Sequence, residues 1–241
     1  MLIVLANRSD AAARLLAQRW TDTVFLSPQY LSGRGWCHEL GGRRSKQQVE
    51  LHESISIGGL PISAAQIDGV YTRISGVFEH DLIEIRAEDR AYVAAEMNAF
   101  LLSWLTNLRC RVVNRPTFQG LCGPNLRPEA WIHIAAMHGI PVVTILRDSN
   151  GYQSRDVKLT EQVTIVGDHA FGYSEIRARQ WARELAECVG LDLVTVSFNI
   201  TATGPLFLEA SPWLDLSGPG IEDAVLDLLR NGRSSAPEES K

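Results

Sequence analysis

The chain has 241 residues, of which 45% are hydrophobic and 21% charged, a composition typical of a globular protein with ample apolar material for a core. Its net charge is −5 and it contains only three lysines, so a nucleic-acid partner, which needs a clustered positive surface, is not expected. No apolar run reaches the roughly 18 residues of a membrane span, and the four cysteines are widely spaced. We therefore expect a cytoplasmic protein with reduced thiols and no membrane partner.

The first half of the sequence predicts alternating strands and helices. Residues 2–6 form an apolar strand, and Asp10 is a suitable N-cap for a helix that extends to about Trp20. Further strands are predicted at 24–26, 49–57, 70–74, 111–113 and 141–146, and helices at 87–108 and 128–138. This β-α-β order with short connections indicates an open α/β sheet.

A loop rich in glycine and arginine is predicted between the second and third of these strands. Its core, residues 32–44, reads SGRGWCHELGGRR. Guanidinium groups and backbone N–H groups of such a loop can bind an anion. The alternative is a mobile surface loop without a ligand.

The second half of the sequence predicts antiparallel strands. The Gly167-Asp168 dipeptide is a hairpin turn signal between two short strands. A helix at 176–189, strands at 193–199 and 206–210, and a helix at 221–229 follow, before a polar tail at 231–241 that we expect to be disordered. This order indicates an α+β portion.

Several segments occur in an order that resembles a known family. They are IDGVYTR at 67–73, the long helix that carries Glu96, VVNRP at 112–116, VTIVGDHAFG at 163–172 and LFLEASPW at 206–213. The series resembles the ATP-grasp superfamily, and most closely its RimK-like and peptide-modifying carboxylate–amine ligases. The resemblance implies a pre-ATP-grasp Rossmann-like domain at 1–147, followed by the α+β C-terminal half of an ATP-grasp domain at 148–230.

The resemblance also implies a chemistry, in which ATP activates a carboxylate as an acyl phosphate that an amine then attacks. Metal ions must neutralise the phosphates, and in the family an Asp and a Glu-x-Asn motif hold Mg²⁺. Here Ser197, Glu209 and Ser211 occupy those positions, and one carboxylate with two hydroxyls is a weak magnesium site. Glu209 is therefore predicted as the remaining metal ligand, with a hydrogen-bonded carboxylate at a strand end as the alternative.

The nucleotide-binding lid that the resemblance implies has no counterpart of adequate length. Between Arg147 and Val163 the chain has only the fifteen residues DSNGYQSRDVKLTEQ, which include one lysine. A connection of this length can form a turn and a strand, but not a subdomain. The sequence thus resembles a truncated ATP-grasp protein that lacks the lid.

Three residues are predicted to bind substrate because they occupy the motif positions of the pre-ATP-grasp domain, namely Arg73, Glu96 and Asn114. Each of these residues also has a structural role as the alternative to substrate binding. Arg73 and Glu96 can form a buried ion pair that braces a helix against the sheet, since burial of such charges usually requires pairing. Asn114 can serve as a turn former.

The leading hypothesis is a degenerate, non-catalytic ATP-grasp-like protein without a cofactor, which binds a peptide or a protein partner in a peptide-modifying pathway. A full-length ATP-grasp enzyme is one candidate for the protein partner. A homo-oligomer is also expected, because loss of the lid leaves apolar surface exposed. The alternative is a minimal carboxylate–amine ligase that uses ATP and Mg²⁺ and is completed by another subunit. A third hypothesis places a small carboxylate or phosphate ligand between Arg73, Glu96 and the loop at 32–44.

Overall fold

The structure is a computed structural model that describes residues 1–31, 54–57, 60–148, 151–154, 159–213, 216 and 218–231. The helices are α1 Ala11–Arg19, α2 Pro28–Leu31, α3 Arg90–Asn107, α4 Pro128–Met137, α5 Ile176–Val189 and α6 Ile221–Asn231. The first strands are β1 Leu2–Ala6, β2 Thr23–Leu26, β3 Ser54–Ile57, β4 Leu60–Ser63, β5 Gly69–Arg73 and β6 Arg111–Val113. The later strands are β7 Ile145–Asp148, β8 Gly151–Ser154, β9 Thr160–Val166, β10 His169–Gly172, β11 Leu193–Thr201 and β12 Gly204–Ser211.

The chain divides into two units by the density of its internal contacts. The first unit is Met1–Pro124 with Leu226–Lys241, and the second is Asn125–Val225, so the division falls inside α6. The predicted domain bounds, 1–147 and 148–230, follow the domains of the family and not the density of contacts. They stay a prediction.

The first unit contains a parallel four-stranded sheet in the order β2-β1-β5-β6. Its strands are apolar on both faces, as expected for a parallel sheet, and β1 is buried at all five positions. The helix α3 contributes Leu101, Trp104 and Leu105 to the same core. Asp10 caps α1 as predicted, because its carboxylate accepts a hydrogen bond from the Ala13 N–H at 2.9 Å.

The turn after β6 is held by its arginine. Asn114 is buried and has a left-handed backbone conformation, with a φ of 52°. The Arg115 guanidinium donates to carbonyl oxygens at and just beyond the end of α3, at 2.9 Å from Thr106 and 3.1 Å from Cys110. The last carbonyls of a helix have no partner within the helix, so Arg115 closes α3 and anchors the turn.

The second unit contains an antiparallel four-stranded sheet in the order β10-β9-β11-β12. The helices α4 and α5 supply Trp131, Ala178 and Leu185 to a core that also includes Phe198 and Phe207 of the sheet. The α/β organisation of the first unit and the α+β organisation of the second are confirmed. Gly190 ends α5 with a φ of 71°, and the hairpin predicted at Gly167-Asp168 joins β9 to β10.

One predicted strand is wrong. The strand expected at 141–146 is replaced by β7, Ile145–Asp148, which pairs with β8 in a hairpin. The preceding residues follow β12 instead: the Phe207 N–H donates to the Pro141 carbonyl at 2.7 Å, and the Val143 N–H donates to the Phe207 carbonyl at 2.9 Å.

Three further expectations fall wholly or largely outside the described residues. The loop at 32–44 lies wholly outside them, and of the strand predicted at 49–57 only Ser54–Ile57 is described, as β3. The tail from residue 232 onward also lies outside them. Among the described helices, none combines the length and the hydropathy needed to cross a bilayer.

Candidate ligand-binding site

A cavity of about 540 Å³ opens on the polar face of the second unit's sheet. Three strands contribute alternate residues to this face, and two cross-strand rows result. One row consists of Gln162, Ser197 and Glu209, and the other of Thr164, Thr195 and Ser211. The opposite face of the same strands packs against the core, so the cavity lies over a sheet that is fixed from behind.

A β-bulge determines where the Glu209 side chain lies. Ser197 is opposite Glu209, whereas the next residue of β11, Phe198, is opposite Phe207, so Leu208 has no counterpart on the neighbouring strand. Phe207 and Glu209 are two residues apart and would share a face in a regular strand. The extra residue reverses that relation, which buries Phe207 and places Glu209 among the cavity residues.

Hydrogen bonds within the cavity wall occupy the hydroxyl and amide groups but not the carboxylate. The Gln162 amide donates to the Ser197 hydroxyl at 3.3 Å, and the hydroxyls of Thr164 and Thr195 are 3.0 Å apart. Glu209 is exposed and forms neither a hydrogen bond nor an ion pair with any residue that the structure describes. The alternative in which an internal hydrogen bond holds this carboxylate thus has no support in the described part of the chain.

The remaining wall of the cavity is apolar and aromatic. Trp213 lines it with 43% of its surface exposed, and Phe171 lies on the β10 side. The main-chain N–H of Trp213 donates to the Ser211 hydroxyl at 3.1 Å. This bond fixes the short turn that carries the indole. Gly172 completes this side with a φ of 84°. A carboxylate beside an exposed indole is a suitable environment for a cation.

The donor set at Glu209 does not fit a magnesium ion held by the protein. Mg²⁺ requires about six oxygen ligands in octahedral geometry and usually takes carboxylates from the protein. Glu209 is the one charged group among the described lining residues, and the Ser197 and Ser211 hydroxyls already accept hydrogen bonds. No group of three or more acidic, histidine or cysteine side chains suited to a metal occurs in the described residues. Glu209 as a metal ligand stays a prediction.

Arg73 lies at the carboxyl end of β5 in the first unit, where its side chain is held by two neighbours. Its Nε donates to Asp10 at 2.9 Å, its Nη1 donates to the Tyr71 hydroxyl at 3.1 Å, and the guanidinium carbon lies 5.8 Å from the centre of the Tyr71 ring. Burial raises the pKa of Tyr71, so this phenol remains a neutral acceptor. The expected pair with Glu96 is not formed, because Glu96 is exposed on α3 and Arg73 pairs with Asp10.

Replacement of Arg73 by methionine is expected to lower the free energy of unfolding by about 2 kcal/mol, because a half-buried Asp10 carboxylate then loses its counter-charge. Urea denaturation gives the difference. The matched control is Arg86→Met, since Arg86 and Glu88 are exposed and 3.7 Å apart, and such pairs contribute about 0–1 kcal/mol. Equal effects of the two substitutions would contradict a structural role for Arg73.

The three predicted substrate residues thus have different environments. Arg73 and Asn114 lie at the carboxyl ends of neighbouring parallel strands, β5 and β6. In open α/β sheets this edge is the usual place for a ligand. Glu96 is exposed on α3, and the structure gives it no contact with Arg73 or Asn114. Their role in substrate binding stays a prediction.

Among the residues of the cavity wall that sequence reasoning missed, three had a signal in the sequence. They are Gln162, Thr164 and Thr195. In TEQVTIV and LVTVSFNI, polar residues alternate with apolar ones at a period of two, which predicts a sheet with one buried and one polar face. This alternation identifies β9 and β11 as one surface with Glu209.

Solved structures resemble this chain over nearly its whole length. The macrocyclase MdnC from Microcystis aeruginosa MRC, solved with its precursor peptide MdnA, gives a TM-score of 0.67 at 12% identity and covers 96% of this chain and 99% of its own. A RiPP-associated ATP-grasp ligase from Chryseobacterium gregarium, in complex with ADP and a leader and core peptide, gives 0.63 at 9% identity, with 95% and 96% covered. A RimK domain ATP-grasp protein from Sphaerobacter thermophilus DSM 20745 gives 0.52 at 14% identity, with 95% and 99% covered.

The chain has the ATP-grasp fold. The resemblance inferred from the motifs at 67–213 is therefore confirmed at the level of fold, and it extends over most of the chain. No protein-family model matches the sequence, and no curated protein sequence does so either. In this ATP-grasp-like chain the cavity over Glu209 lies on the sheet of the second unit. The function that we propose rests on the charge of the residues that line this cavity.

Proposed function

We propose that this ATP-grasp-like chain binds a peptide in a peptide-modifying pathway and does not ligate it. The observation that carries the proposal is the charge of the cavity. Its described lining residues include one carboxylate, Glu209, and no cationic side chain. A nucleoside triphosphate brings several negative charges, and like charges placed together in a site are unfavourable.

A peptide with a lysine or arginine side chain suits the same surface. Glu209 provides a negative charge that no described residue pairs with, and Trp213 provides an aromatic face within the same cavity. A cation over an indole is stabilised by about 0.5–2 kcal/mol, depending on its desolvation. The hydroxyls of Thr195 and Ser211 can also accept hydrogen bonds from a peptide N–H.

The solved proteins of the same fold support a peptide as the ligand class. MdnC was solved with a precursor peptide, and the Chryseobacterium gregarium ligase was solved with ADP and a leader and core peptide. The chain described here has fifteen residues between Arg147 and Val163, where the resemblance implies a nucleotide-binding lid. Peptide binding without nucleotide binding is consistent with both facts.

A binding experiment tests the proposal in two parts. In calorimetry with ATP and Mg²⁺ we expect no micromolar affinity. On an array of short peptides that differ only in charge, we expect those with lysine or arginine to bind. Glu209→Gln should weaken that binding about tenfold, which corresponds to about 1.4 kcal/mol. Glu187→Gln, which removes an exposed carboxylate outside the cavity, is the isosteric control.

Either part can contradict the proposal. Micromolar binding of ATP with Mg²⁺ that disappears in Glu209→Ala would favour the minimal ligase, with cationic groups supplied by another subunit. An array on which no peptide class binds would exclude a peptide as ligand of the isolated chain. The homo-oligomer and the full-length ATP-grasp partner stay predictions, and sedimentation with and without such an enzyme tests them.

A further inference from the structure

A thiol and an imidazole are in contact at the ends of two helices of the second unit. The Nε2 atom of His138 is 3.1 Å from the Sγ atom of Cys188, and both residues are exposed. His138 is the C-cap of α4, and Cys188 lies in the last turn of α5. Neither residue lines the cavity over Glu209. The pair is therefore independent of the function proposed above.

The other two described cysteines have a different environment. Burial raises the pKa of Cys110 to about 11 and that of Cys122 to about 11, so neither is a thiolate at neutral pH. Cys188 is the exposed one of the three. Since the thiolate is the nucleophile, a cysteine that is exposed and touches a proton acceptor is the candidate for chemistry.

The contact supplies the proton acceptor that a reactive thiol needs. With its ring proton on Nδ1, His138 presents the Nε2 lone pair to the thiol, and transfer of the proton gives an imidazolium beside a thiolate. Because both residues are exposed, a peroxide in solution can reach the sulfur at this contact.

We propose that Cys188 is a site of oxidation by hydroperoxides and that His138 carries the proton of the reaction. His138 takes the thiol proton, and the Cys188 thiolate attacks one oxygen of the peroxide. An S–O bond forms while the O–O bond breaks, so sulfur is oxidised and the peroxide is reduced. The leaving hydroxide takes the proton back from the imidazolium and departs as water. The products are a sulfenic acid and water when the oxidant is hydrogen peroxide, and the histidine is regenerated.

The test measures the rate of sulfenic acid formation with hydrogen peroxide at pH 7.5, trapped by dimedone and located by peptide mass spectrometry. A Cys37→Ser background restricts the readout to the three cysteines that the structure describes. We expect the adduct on Cys188, with a rate that falls about tenfold or more in His138→Gln, as for loss of an acid–base group. His133→Gln is the matched control, because His133 is also exposed on α4 and has no bond to any of the three described cysteines.

Thermal melts of the variants confirm that each is folded, since both histidines are exposed and a glutamine is tolerated in a helix. An adduct on Cys188 that forms equally fast in His138→Gln and His133→Gln would overturn the role of His138. If the dimedone adduct formed only on Cys110 or Cys122, or if the folded protein gave no adduct, Cys188 would not be the site of oxidation. Cys188→Ser must abolish the signal if the assignment is correct.

Discussion

Phe198→Ala is expected to lower the free energy of unfolding of the second unit by about 3–5 kcal/mol, the usual cost of a phenylalanine truncation in a packed core. Phe198 is fully buried, and its ring centre is 6.4 Å from those of both Trp181 and Phe207. The ring of Phe207 meets it edge-on at 85°, an arrangement that contributes about 0.5–1.5 kcal/mol beyond burial. Truncation removes this contact and leaves a cavity.

Urea denaturation followed by tryptophan fluorescence measures the effect, since Trp181 lies beside the substituted ring. Phe118→Ala is the control, because Phe118 is 90% exposed and its loss should change the free energy of unfolding by no more than about 0.5 kcal/mol. A loss below about 1 kcal/mol for Phe198→Ala would mean that the core behind the polar face is not packed as described.

Gly172→Ala is expected to cost about 2–4 kcal/mol in the free energy of unfolding, because strain and overpacking act together at this position. The φ of Gly172 is 84°, and a Cβ atom added there would lie 2.4 Å from the main-chain oxygen of Gln162. That oxygen also accepts the Tyr173 N–H at 2.8 Å, so it cannot move away without the loss of a hydrogen bond. The substitution should also weaken ligand binding, since Gly172 lines the cavity.

Gly190→Ala separates the two causes. Gly190 has a φ of 71° at the end of α5, but an added Cβ atom would meet nothing within 4 Å. It should therefore cost only the conformational strain, about 1 kcal/mol. Thermal unfolding of the two variants side by side gives the comparison. Similar losses in both would contradict the close approach of the main chain at Gly172.

The sequence predicted those elements whose signals are local. Asp10 caps α1 and Gly167-Asp168 joins a hairpin, each through backbone chemistry that needs no distant partner. The strand at 141–146 failed for the opposite reason. Its apolar residues satisfied a strand pattern, whereas the chain there is attached to β12 by only two hydrogen bonds around Phe207 and then enters a hairpin.

The cavity could be predicted only in part. Polar alternation along β9 and β11 indicated a polar face, but the place of Glu209 on it depends on the bulge at Leu208. A sequence does not state which residue is left unpaired, because that depends on the register with the neighbouring strand. The partner of Arg73 was missed for a similar reason. Asp10 lies 63 positions away in sequence, and only the parallel pairing of β1 with β5 brings the two together.

The Asn-Arg-Pro triplet at residues 114–116 acts as a joint between β6 and the end of α3. Asparagine tolerates the left-handed backbone at Asn114, the Arg115 side chain binds the carbonyls beyond the helix, and Pro116 restricts the chain that leaves the turn. Each of the three residues therefore stabilises the joint itself, apart from any role toward a ligand. A sequence can keep such a triplet for the sake of the turn alone, so its presence indicates the fold and not the ligase activity.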